Sequence, residues 1–98
     1  MKLQWTARAY EQLYSIVEYI SKSSLQNAGA VYDRIHSAVL KLKDFPDMGI
    51  HPHNDRLLRT GYRMLIVEKF IVLYIADDTV VTIMGVVHGA QKYEHLFR

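Results

Sequence analysis

From Tyr10 through Leu13 and Val17 to Ile20, apolar residues recur every three or four positions, with Glu11, Gln12, Ser15 and Glu18 between them. That spacing predicts an amphipathic helix. Lys2 to Trp5 ahead of it suits a short strand, and Thr6 is a candidate N-cap. Ser21-Lys22-Ser23-Ser24 interrupts the stripe and offers a fresh cap, after which Ala28, Val31, Ile35, Val39 and Leu42 lay down a second apolar face. Two such helices in succession predict a helical hairpin.

The pattern then breaks. Phe45-Pro46-Asp47-Met48-Gly49-Ile50-His51-Pro52-His53-Asn54 holds both prolines, so neither regular period can run through it and a loop is expected. Arg56 to Thr60 offers a strand start, and Tyr62 to Val67 is β-branched and aromatic. Glu68-Lys69 turns, Phe70 to Ala76 pairs back, and Asp77-Asp78 turns into a last strand over Thr79 to Val87. Ile71-Val72-Leu73 and Val80-Val81 are apolar at both parities, so both faces of the sheet are expected to be covered at least in part. The helices can cover one. The other must meet the tail, a loop or a second chain.

Composition narrows the class. With 98 residues, 50% hydrophobic and 22% charged, the chain suits a single globular domain over residues 1–98. There is no cysteine, which removes disulfides, thiolate metal sites and a cysteine nucleophile. No signal-peptide pattern and no apolar run of about 18 residues is present, so a cytoplasmic protein with no membrane partner is expected. A formal net charge of +2 permits a polyanionic target without requiring one.

The order β-α-α-β-β-β, the Phe45-Pro46-Asp47-Met48-Gly49 loop, Leu57-Leu58-Arg59 and Gly61-Tyr62-Arg63-Met64-Leu65-Ile66-Val67 carry a resemblance, continued in Phe70-Ile71-Val72-Leu73-Tyr74, Val87-His88-Gly89 and Tyr93-Glu94-His95-Leu96-Phe97. Together these pieces resemble the RelE/ParE superfamily of bacterial type II toxins over essentially the whole chain. The resemblance implies an α+β fold, a helical hairpin on one side of a small, mostly antiparallel sheet, and the concave opposite face is expected to be rimmed by Arg59, Arg63, His88 and Lys92. It implies a growth-inhibiting toxin, of the plasmid-stabilising kind, neutralised by a cognate antitoxin and needing no cofactor. One branch blocks DNA gyrase; another cleaves messenger RNA on the ribosome. In many relatives the glycine after the last strand is followed by two arginines, which are Ala90 and Gln91 here, and the RNA-cleaving branch carries arginines near the position of Ile66. These differences favour the gyrase-blocking branch. The alternatives are a ribosome-dependent endoribonuclease and a degenerate relative that only binds its partner.

The side chains themselves leave several readings open. His88 at a strand end has the chemistry of a general acid, with Arg63 or Lys92 as the cation steadying a phosphorane; it can equally cap the strand. Arg59 and Arg63 flank a Gly-Tyr turn, where guanidinium forks grip phosphates or an antitoxin carboxylate, or stand as solvated edge charges. Tyr93 is placed to stack on a base or to pack with Leu96 and Phe97. His51-Pro52-His53 lacks the further ligands of a zinc site, so no metal is expected, and His36 and His95 have less support still. Tyr10, Tyr14, Tyr19 and Tyr32 read as core or core-edge aromatics.

Overall fold

The structure, a computed structural model, describes residues 1–52 and 59–89. The expectations attached to His53, Asn54, Arg56, Leu57 and Leu58, and to Ala90, Gln91, Lys92, Tyr93, Glu94, His95, Leu96 and Phe97, fall outside the described residues.

Strand β1 (Lys2–Trp5) leads into helix α1 (Ala7–Ser21), whose N-cap Thr6 accepts the Ala9 N–H on its hydroxyl at 3.1 Å. Ser24 plays the same part for α2 (Leu25–Leu40), taking the Asn27 N–H at 3.1 Å. A capping hydroxyl satisfies one of the donors that a helix start leaves orphaned, which is why both helices begin where the serine and threonine fall. A single 3-10 turn (Lys41–Lys43) follows α2. Beyond the loop come β2 (Arg63–Val67), β3 (Phe70–Ala76) and β4 (Val80–His88). Arg59, Thr60 and Gly61 form a turn rather than a strand start. Gly61 sits there at φ +79°, a left-handed conformation that suits glycine.

The four strands lie in the order β1-β4-β3-β2, antiparallel except for the parallel β1–β4 pair. The fold is therefore α+β, as expected, with the helical hairpin on one face of the sheet. Ala9 and Leu13 of α1 and Val31, Ile35 and Val39 of α2, with Leu42, meet Leu65, Phe70, Val72, Tyr74, Val81, Ile83 and Val86 in one core. Burying each of these larger side chains stabilises the fold by about 1.5–3 kcal/mol.

One irregularity sets the face of everything that follows it. Leu73 pairs with Gly85 while Tyr74 pairs with Ile83, so Met84 is an extra residue in β4. A bulge of this kind shifts alternation by one. Val81 and Ile83 face the helices before it, and Val86 does so after it. The opposite face holds Met64, Leu73 and Val87, all buried, so both faces of the sheet are covered in part.

The tyrosine expectation is corrected. Tyr10, Tyr14 and Tyr19 are 44%, 60% and 76% exposed; only Tyr32 packs against the core. In the first turn of α1 it is the small Ala9 that faces the sheet, leaving Tyr10 and Tyr14 to stack on each other at 5.7 Å beside Trp5. Among the described residues the deeply buried tyrosine is instead Tyr74, in the middle of the sheet.

Candidate functional site

Arg63 opens β2, and its guanidinium turns toward the preceding loop. Nη1 donates to the Gly49 carbonyl at 3.0 Å and more weakly to the Asp47 carbonyl at 3.4 Å, while Nη2 lies 3.4 Å from an Asp47 carboxylate oxygen. The side chain is 24% exposed. On the same loop Tyr74 accepts the Gly49 N–H at 2.8 Å and donates its hydroxyl to the Pro46 carbonyl at 2.8 Å. Gly49 is therefore gripped at both its N–H and its C=O, and Ile50 completes the attachment by bridging Met64 in antiparallel fashion. Burial pushes the Tyr74 phenol above its ordinary pKa of 10.0; the Gly49 hydrogen bond and the nearby Arg63 charge pull partly the other way.

His88 closes β4 at the far end. The register pairs Arg63 with Tyr74 and Tyr74 with Ile83, whereas His88 pairs with Phe70 and Phe70 with Val67. Four residues of strand separate the two rows, roughly 13 Å, and β2 and β4 lie two strand spacings apart, about 10 Å. The parity of the rows puts both residues toward the helix side. The expected concave rim shared by Arg59, Arg63 and His88 on the other face is therefore not formed, and His88 and Arg63 do not converge. The Met84 bulge is the physical cause of the change of face for His88.

The His88 ring stands edge-on to Phe70 at 5.6 Å, next to a cleft of about 320 Å³ whose other lining includes Ile16, Tyr19 and Ile20 of α1. Gly89 directly follows, its N–H bonded to the Lys69 carbonyl at 2.7 Å. Arg59 is exposed in the turn before β2. Lys92 and Tyr93 lie outside the described residues. His51 is exposed, and among the described residues no group of three His, Asp or Glu side chains gathers to hold a metal.

Sequence reasoning passed over Gln12. Strand β1 ends opposite Ile83, so the outer edge of β4 beyond that point has no strand neighbour from β1. Gln12 fills the place by accepting the Val86 N–H on Oε1 at 2.9 Å. A polar residue between two apolar helical positions carried no sign of this, because the partner lies 74 residues away.

Comparison with known proteins agrees with this architecture. A family model described as the ParE toxin of type II toxin-antitoxin system, parDE, matches residues 3–93. No curated protein matches the chain. Among solved structures the chain is similar to one of the chromosomal ParDE TA system from P. aeruginosa, with a TM-score of 0.73 and 20% sequence identity over 90% of this chain and 95% of that one. At that identity the likeness concerns the fold, while the family match spans nearly the whole sequence. The chain belongs to the ParE toxin family of type II toxin–antitoxin systems.

Proposed function

We propose that this toxin inhibits growth by blocking DNA gyrase and that a cognate antitoxin silences it. The observation that carries the choice of target is the separation of Arg63 from His88. Cleavage of a phosphodiester by a general acid requires the acid and the phosphate-clamping cation within hydrogen-bond reach of one reacting group. Here they stand roughly 13 Å apart along the strands, and the Arg63 guanidinium is already engaged by Gly49 and Asp47. That arrangement removes Arg63 as the phosphate clamp for His88, and to that extent it favours a toxin that works by binding over one that works by cutting RNA.

The antitoxin reading is supported by the outer surface of α1. Tyr10, Tyr14 and Tyr19 are exposed there, Leu25 at the start of α2 is 81% exposed, and Ile16, Ile20 and Phe70 are among the residues lining the cleft beside His88. Apolar surface of this kind, rimmed by polar residues, suits the apolar face of an amphipathic antitoxin segment.

The experiment is to induce the toxin alone in growing cells and to follow DNA, RNA and protein synthesis separately by pulse labelling. Early arrest of DNA synthesis, relieved by co-expression of the neighbouring antitoxin gene, is the expected result. Arrest of protein synthesis first, with cleaved messenger RNA, would overturn the gyrase reading.

A further inference from the structure

Trp5, Tyr10 and Tyr14 form a row of touching rings where β1 hands over to α1. The Trp5 and Tyr10 ring centres are 5.5 Å apart with planes tilted at 55°, and Tyr10 and Tyr14 follow at 5.7 Å and 23°. Both tyrosines are exposed and contribute nothing to the core. Each ring limits the rotation of its neighbour, so the row presents open ring faces in a set orientation.

Two carboxylates flank the row. Residues three and four apart are neighbours on a helix face, which places Glu11 one turn before Tyr14 and Glu18 one turn after it. Both are exposed, and among the described residues neither carboxylate makes an ion pair or a side-chain hydrogen bond. The adjacent cations of the chain, Arg8 before Glu11 and Lys22 beyond Glu18, are paired with neither. The cation–π contact among the described residues is made by Lys69 on Phe70, so no cation covers Tyr10 or Tyr14. Negative ring faces beside negative side chains make a surface that attracts a planar cation and repels phosphate.

We infer that this row is a docking surface for arginine side chains on the antitoxin segment, with a guanidinium lying flat on the Tyr14 ring and its N–H groups directed to Glu11 or Glu18. The inference deepens the antitoxin reading, and its choice of partner rests on it. Arginine suits the surface better than lysine because guanidinium stacks on aromatic faces and its fork matches a carboxylate. A wholly apolar helix would cover the rings but strip water from Glu11 and Glu18 without replacing it. Single-stranded nucleic acid also stacks on aromatic rows, yet it would bring phosphates up to both carboxylates.

Trp5 is the chain's one tryptophan, so its emission reports binding at the row. The isolated chain is titrated with a blocked alanine-rich helical peptide carrying two arginines at the spacing of Glu11 and Glu18, and with the same peptide bearing neutral citrulline. A saturable change is expected with the arginine peptide and binding weaker by about fivefold or more with citrulline. Tyr14→Leu and Glu11→Gln, both at exposed positions, should each weaken the arginine peptide by about two- to fivefold, the loss for an exposed cation–π contact or ion pair, and leave the citrulline peptide unchanged. Equal binding of the two peptides, unchanged binding in both variants, no saturable change at millimolar peptide, or tighter binding of a single-stranded oligonucleotide would each overturn the assignment. The antitoxin encoded by the neighbouring gene is titrated alongside. Equal binding of it by parent and variants would overturn the arginine assignment and leave the antitoxin reading standing; no binding by the parent, with the peptide still selective, would overturn the antitoxin reading and with it the choice of partner.

Discussion

Tyr74 Oη and the Gly49 backbone N–H are hydrogen-bonded at 2.8 Å, 25 residues apart, and the contact is so close that a Cβ on Gly49 would lie 2.6 Å from the phenol oxygen. The central strand thus holds the proline-rich loop through a buried side chain. Removing the hydroxyl leaves the Gly49 N–H and the Pro46 carbonyl each short of a partner. Tyr74→Phe should therefore lower stability by about 1–3 kcal/mol in urea unfolding, with faster hydrogen exchange at the Gly49 amide.

The same phenol makes stability depend on alkaline pH. Its folded pKa is raised by burial, whereas the unfolded chain ionises near the ordinary value of 10.0. Between those two values the folded state holds the extra proton, so stability falls as pH rises. The contribution is complete below about pH 10 and is lost as pH climbs through the folded pKa. Unfolding curves from pH 8 upward should show a steeper decline for the parent than for Tyr74→Phe; parallel curves would contradict the assignment.

Asp77 gives the acid-side counterpart. Its Oδ1 accepts the Thr79 and Val80 N–H groups at 2.8 Å each and the Thr79 hydroxyl at 3.2 Å, and these bonds hold its carboxyl below the ordinary value of 3.8. The folded state then binds the proton less well than the unfolded chain, so this stabilisation is present above the unfolded pKa and disappears as pH falls through the folded one. Asp77→Asn should flatten the acid limb of the stability profile and loosen the β3–β4 turn in hydrogen exchange.

Two glycines should respond in opposite ways. A Cβ on exposed Gly29, inside α2, meets nothing within 4 Å, so Gly29→Ala should raise stability by about 0.5–1 kcal/mol through helix propensity alone. Gly49→Ala collides with Tyr74 and with the Met64 carbonyl and should unfold at lower denaturant than Tyr74→Phe. Thermal or urea unfolding of the three variants side by side checks the order.

Much of the fold was legible because it is local. The cap at Thr6, a second cap within Ser21-Lys22-Ser23-Ser24, the apolar stripe from Ala28 to Leu42 and the turns at Glu68-Lys69 and Asp77-Asp78 depend on residues close in sequence, and each lies where the pattern puts it. The parallel docking of β1 on β4, the Met84 bulge and the Gln12–Val86 bond join distant segments, and no local period encodes them. The site readings suffered most from this. Residues at both parities of β4 look equally apolar until the bulge assigns them to faces, and Arg63 reads as a free cation until the loop folds over to Gly49 and Asp47.

His88 provides a direct check on mechanism. Were it a general acid, His88→Ala would reduce toxin activity by about two to four orders of magnitude. As a ring resting on Phe70 it should instead contribute about 0.5–1.5 kcal/mol to stability. Growth inhibition by the folded variant should stay within a few-fold of the parent, measured alongside its melting temperature.

The central claim is a target, and the most direct measurement is DNA supercoiling by purified gyrase in the presence of the purified toxin. Dose-dependent loss of supercoiling, reversed by the antitoxin and retained in His88→Ala, is the predicted result. Undiminished supercoiling at toxin concentrations that stop growth, with messenger RNA cut on ribosomes in the same preparation, would contradict the account.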